Sequence, residues 1–284
     1  MRRAAGETPG GQERGLIRGR FTDVSVGFTA GEEQWRARLG TLRQVVRQEI
    51  VARQVAAHLP DLPARRVLDV GCGQGTQALV LARRGHFVAG LDSSAQLLDD
   101  FRAALAAEPA QVRDRVRLVQ GKAETLAGLF APSSFDAVLC QGVLMYFPDP
   151  DPLLDAIARV VAPGGMVSVL VRNGDALAMR PGLLGDWDSV GEAFDGSSYL
   201  NRIGVNARAD RLKDLTAALA RRQMSVSRWY GVRVFTDTAA SDAPLPDEAT
   251  LNAVLRFEER AGRTDPYRHV AALLHLIAVR GNGP

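Results

Sequence analysis

The sequence predicts an α/β fold, an open and mostly parallel sheet of seven strands with helices on both faces, an N-terminal helical cap and a lid inserted after the fifth strand. Three observations predict it. From residue 64 onward short apolar runs alternate with helical segments, which is how a parallel sheet with crossover helices reads in sequence. Three glycines crowd the end of the first apolar run, where the chain must turn out of a strand and into a helix. Past the fifth run, over about 173–209, periodicity fails for longer than a simple connection requires, so that stretch reads as a lid or binding loop. The layout is Rossmann-like.

Taken in order, residues 1–15 are rich in Gly, Arg and Glu with little apolar periodicity and read as a mobile leader. Residues 16–63 form the cap. There Trp35, Leu39, Leu42, Val46, Ile50 and Leu59 recur at helical spacing over 34–59, as in one or two amphipathic helices ended by Pro60 and Pro63. The main domain spans 64–284. Its strands fall at 66–70, 87–91, 116–120, 137–140 and 166–171, with helices at 74–84, 95–107 and 152–161 between them. Pro163-Gly164-Gly165 is a tight turn into the fifth strand. After the lid come a helix at 210–222, a strand at 226–235, a helix at 246–261 and a strand at 273–279.

The 284 residues, 46% hydrophobic and 24% charged, suffice for one sizeable core or two unequal ones. No run approaches the length of a membrane helix, and the N-terminus lacks the apolar core of a secretory signal, so a cytoplasmic location is expected. Cys72 and Cys140 fall in a strand-end loop and a buried strand, which argues against a disulfide. Formal charge is +3 with a pI near 9.2, and Lys122 and Lys213 are the only lysines. Arginines gather at 2–20, at Arg202, Arg208 and Arg211, and at Arg221, Arg222, Arg228 and Arg233, patches suited to phosphates or a carboxylate. His58, His86, His269 and His275 make no cluster with cysteine or carboxylate in the sequence, and no metal is expected.

The strongest motif is Val67-Leu68-Asp69-Val70-Gly71-Cys72-Gly73-Gln74-Gly75-Thr76, where backbone can approach a ligand that any Cβ would strike. A dinucleotide fingerprint would place its third glycine where Thr76 stands. The tighter spacing, with Asp69 just before it, instead resembles the first motif of class I methyltransferases. That resemblance implies S-adenosylmethionine as cofactor, with the glycine loop against its methionine moiety. Gly90-Leu91-Asp92 ends the second strand with a carboxylate placed to accept from ribose hydroxyls. Gly121-Lys122-Ala123-Glu124 follows the third strand, where that family holds the adenine. Gln141 to Tyr146 follow the fourth, beside the expected reactive methyl.

More specifically, the chain resembles, from Gly40 to Arg280, the bacterial tRNA methyltransferases that esterify the carboxylate of 5-carboxymethoxyuridine. The pieces that carry this are Gly40-Thr41-Leu42-Arg43-Gln44, Arg84-Gly85-His86, Asp92-x-Ser94-Ala95-Gln96, Gly231-Val232-Arg233-Val234-Phe235-x-Asp237, Leu255 with Glu258, and Pro266-Tyr267 before His275. The resemblance implies that Arg43 reaches the cofactor's carboxylate, Asp69 its amino group, Gly71, Cys72, Gly73 and Gly75 its methionine, and Asp92 with Ser93 its ribose. Ala123 and Glu124 would border the adenine, and Gln141 the sulfonium. Gln141, Tyr146, Arg208 and Arg233 would serve the acceptor. Gln141 and Tyr146 stand where the family carries a His and a Trp, and Arg172-Asn173 where it carries Tyr-Asn. A carboxylate acceptor is already ionised at neutral pH, which agrees with the missing acid/base pair. Expected partners are tRNA or, alternatively, a small-molecule acceptor under the lid, with no membrane. A third possibility is a cofactor-binding protein that has lost catalysis.

Overall fold

The computed structural model describes residues 28 and 30–281; the leader at 1–15 and the start of the cap lie outside them. Among the described residues the apolar runs become strands β1 (Arg66–Val70), β2 (Phe87–Asp92), β3 (Val116–Gln120), β4 (Phe135–Gln141) and β5 (Val161–Asn173), followed by β6 (Ser198–Leu200), β7 (Asn206–Asp210), β8 (Met224–Val232) and β9 (Leu273–Arg280). The helices are α1 (Glu32–Arg36), α2 (Leu42–Ala56), α3 (Thr76–Arg83), α4 (Ala95–Ala106), α5 (Ala110–Arg113), α6 (Leu126–Leu129), α7 (Asp151–Val160), α8 (Met179–Leu183), α9 (Trp187–Asp195), α10 (Leu212–Ala220) and α11 (Glu248–Gly262).

β1 to β5 pair in parallel in the order β3-β2-β1-β4-β5. β9 runs antiparallel along β5, and β8 antiparallel along β9. Strand order therefore reverses between β1 and β4, and the crevice beyond their carboxyl ends is where such a sheet binds ligands. Both sheet faces are covered, which is why 137–140 in β4 and 166–171 in β5 read as nearly unbroken apolar runs. On one face Val138, Val167, Val169 and Leu276 pack under α7 and α10. On the other, Leu139, Met166, Leu170 and Ile277 pack under α2, α3 and α11, with Val46 and Ile50 of α2 fully buried.

The structure departs from or adds to the expectations at three places. The sheet gains two strands, because 173–209 holds two helices and the β6–β7 hairpin where residue pattern showed none. Helix propensity there is diluted by six glycines, and the hairpin is too short to display an alternation. β7 pairs with Arg172 and Asn173, the last residues of β5, while β4 pairs with β5 only as far as Leu170. β9 occupies the other edge, so β7 continues along β5 where β4 stops. Third, the strand expected to reach residue 235 ends at Val232, because Arg233 takes a left-handed conformation with φ of 60°.

Candidate active site

Gly71, Gly73 and Gly75 all have positive φ, 69°, 54° and 85°. Their surroundings differ. A Cβ on Gly71 would lie 2.3 Å from Val143 Cγ2, and one on Gly75 would lie 2.2 Å from the Phe101 ring, whereas one on Gly73 would meet nothing within 4 Å. Gly73 thus faces open space, which forms part of a cavity of about 560 Å³ at the switch point. Gly71 and Cys72 line it too. Gly75 does not, and its glycine is required for packing against Phe101 and for starting α3.

Two carboxylates end β1 and β2. Asp92 is held by the Gly73 and Ser94 amides at 2.8 and 2.9 Å, which leaves a lone pair on each oxygen for a ligand hydroxyl. Burial pushes its carboxyl above the usual range. Asp69, 4% exposed, is pushed up to about 7, first by burial, then by the nearby Asp92 charge, against the opposing pull of Arg47. A carboxyl so placed regains its charge when a cation arrives beside it. Ser93, Ala123 and Glu124 complete this wall, the first and last exposed.

Four arginines from separated segments meet at the opposite end. Arg43, in the first turn of α2, places Nη2 2.7 Å from Asp237 Oδ1. Arg172 at the end of β5 and Arg233 after β8 reach the same carboxylate at 3.3 and 3.4 Å. One turn along α2 from Arg43, Arg47 donates to the Gln141 carbonyl at 3.0 Å and lies 5.4 Å from the Trp35 ring centre. Burial, then the neighbouring Arg233 charge, bring its guanidinium down to about 10. Three positive groups thus share one negative one, and Arg43 Nε and Nη1, Arg172 Nε and Arg233 Nε are buried without a hydrogen-bond partner. Buried donors left unpaired are costly, and an anion at this wall would satisfy them.

Arg233 and Asp237 owe their place to Glu258. From α11 this fully buried carboxylate accepts from the amides of Val234, Phe235 and Thr236 at 2.7, 3.0 and 2.8 Å and from the Thr236 hydroxyl at 2.7 Å. Those bonds hold the loop in which Arg233 adopts its unfavourable backbone angle.

At the end of β4, Gln141 and Tyr146 both line the cavity. The Tyr146 hydroxyl accepts from Asn201 Nδ2 at 3.3 Å, and its ring meets Phe28 edge-on at 5.5 Å. Tyr199 of the hairpin also lines the cavity, 5.3 Å from the Arg172 guanidinium. Arg208 is the exception among the residues expected at the acceptor. It pairs with Asp210 at 2.9 Å and donates to the Phe147 carbonyl at 2.7 Å, outside the cavity lining, so its charge serves to tie β7 to the loop after β4.

Sequence reasoning missed Arg47 and Arg172 as site residues. The four-residue step from Arg43 places Arg47 on the same helix face, and that spacing was a usable signal. Nothing local announces Arg172 or the role of Asp237, since their meeting depends on how β5, β8 and α2 pack.

Residues 68–169 match the family model described as a methyltransferase domain. The chain is 29% identical over 271 residues to the tRNA 5-carboxymethoxyuridine methyltransferase of Escherichia coli K12, which covers 91% of this chain and 95% of that protein. It is 38% identical over 128 residues to a ubiquinone biosynthesis O-methyltransferase of Paracidovorax citrulli, covering 45% of this chain and 52% of the relative. Among solved structures it superimposes with a TM-score of 0.59 and 19% identity on the magnesium protoporphyrin IX methyltransferase of Synechocystis PCC 6803 with bound S-adenosylhomocysteine, over 89% of this chain and 95% of the other.

Proposed function

We propose that this chain, an S-adenosylmethionine-dependent methyltransferase whose residues 68–169 match a methyltransferase domain, transfers the methyl group to a carboxylate on a modified uridine of tRNA. The observation that carries the acceptor class is the shared Asp237: beside Arg43, the buried Arg172 and Arg233 lean on it with Nε still unpaired.

The residues present fit the cofactor. Arg43 Nε and Nη1 are unpaired donors for its carboxylate, Asp69 suits its ammonium, Asp92 has lone pairs for ribose hydroxyls, and Gly73 leaves room for the chain between them. Bound there, S-adenosylmethionine supplies a methyl group activated by a sulfonium. For the acceptor, Arg233, Arg172 and Arg47 supply charge and orientation, and Tyr146 and Tyr199 supply apolar walls. A carboxylate needs no general base, because it is ionised at neutral pH. Alignment and exclusion of water then provide most of the rate, as they do in any in-line displacement. The helical cap before β1 and the lid at 173–209 close the cavity around the acceptor, while Arg208 braces the hairpin.

The match over 95% of the tRNA enzyme and the basic pI support RNA as the carrier of the acceptor. A second reading, a small-molecule O- or N-methyltransferase, is favoured by one observation: α8, α9 and the hairpin line the cavity themselves, through Arg180, Ser189 and Tyr199. Incubation with methyl-labelled cofactor, total tRNA and a metabolite extract separates the two. Label should enter RNA and leave as methanol in mild base, as a methyl ester does. Base-stable label in a small molecule would overturn the carboxylate reading in favour of the second.

A further inference from the structure

A line of polar side chains crosses the otherwise aliphatic sheet face beneath α2. Gln141 Nε2 lies 2.9 Å from Ser168 Oγ, Ser168 Oγ 2.7 Å from His275 Nε2, and His275 Nδ1 2.7 Å from Gln54 Oε1 of α2. Register places them on one face: Leu139 sits beside Ser168, Gln141 beside Leu170, and Leu170 beside His275. Ser168 and His275 are fully buried, and their neighbours Leu139, Met166, Leu170 and Ile277 are aliphatic. Hydrocarbon would fill these positions without the desolvation cost of a hydroxyl and an imidazole. The line emerges at one end only in the cavity, at Gln141.

The Gln54 oxygen, placed against Nδ1, sets the direction of its bonds. Burial holds His275 neutral, pushed down to about 3, so one ring nitrogen carries a proton. Gln54 offers an oxygen and takes the proton on Nδ1. Nε2 therefore accepts from the Ser168 hydroxyl, whose oxygen accepts from Gln141 Nε2.

We propose that Ser168 and His275 are positioning residues that turn the Gln141 amide nitrogen inward, presenting its oxygen to the cavity, where it favours a cationic ligand over a neutral one. The inference rests on the methyltransferase reading only for the identity of that cation, the sulfonium. An amide oxygen beside a positive centre stabilises it; the amide nitrogen, with its hydrogens outward, would oppose it.

Two measurements test this. In ligand-free protein labelled with nitrogen-15 histidine, long-range proton–nitrogen spectra should show His275 protonated on Nδ1; protonation on Nε2 would overturn the proposal. Calorimetry then compares S-adenosylmethionine with its neutral thioether product, S-adenosylhomocysteine. Ser168→Ala should lower the preference for the cation about three- to tenfold while leaving affinity for the thioether near wild type. In a Gln141→Leu background the same substitution should leave the preference unchanged. Equal loss for both ligands, or an undiminished effect without Gln141, would make the line purely structural. If wild-type protein bound neither ligand, the methyltransferase reading would fail, and the histidine spectrum would still decide the polarity of the line.

Discussion

At the glycine-loop end of the cavity the walls are backbone and strand-end carboxylates, from the ends of β1, β2 and β3 and the short segments that follow them. At the lid end they are guanidinium groups from α2, β5 and the loop after β8, balanced on a single aspartate. The first end is set by steric room: Gly71 leaves no space for a side chain and Gly73 leaves space for a ligand. The second end is set by charge. On the proposed reading, geometry of the first kind serves any acceptor and a charge balance of the second kind selects one, which puts acceptor choice where the arginines meet.

The largest test of that contrast is Asp237→Ala. Removing the shared counter-ion strands three buried arginines and should destabilise the protein by about 3–5 kcal/mol, read as a fall in Tm of roughly 10 °C. A change below about 1 kcal/mol would break the idea of a balanced wall.

Asp69 gives the next effect, at the opposite end. Its folded-state carboxyl keeps a proton up to about pH 7, while in the unfolded chain it ionises near 3.8. Between these values the folded state holds the extra proton, so this group's contribution to stability falls as pH rises from about 4 to 7, by at most on the order of 4 kcal/mol. Melts of cofactor-free Asp69→Asn should lack that decline, and cofactor affinity of the wild type should rise with pH through 7. A pH-independent affinity would remove Asp69 from the ammonium site.

The smallest contrast lies between two arginines. Arg233→Ala should raise acceptor KM about 10- to 100-fold with the cofactor Kd within about threefold, whereas Arg208→Ala should cost about 1 kcal/mol of stability and leave both constants near wild type. The reverse pattern would restore Arg208 to the acceptor and displace Arg233.

How much of this was legible in the sequence follows the same division. β1 and β3 match their expected bounds, and Gly71, Gly73, Asp69 and Asp92 line the cavity as their motifs imply, because those motifs are local. Gly75 answers to Phe101, 26 positions downstream, a partner that no spacing rule names. The arginine wall and the Ser168–His275 line are non-local: they exist only once β5 has β9 on one edge and β4, then β7, on the other. Tertiary packing makes them, and a single chain read by periodicity cannot show it.

None of the described residues lining the cavity comes from α11, yet its Glu258 sets the loop that carries Arg233 and Asp237. An engineer redirecting this enzyme by randomising only the positions that touch a ligand would leave that control untouched. On the proposed reading, libraries that include 255–258 would retune acceptor preference at a distance and leave the glycine-loop end intact.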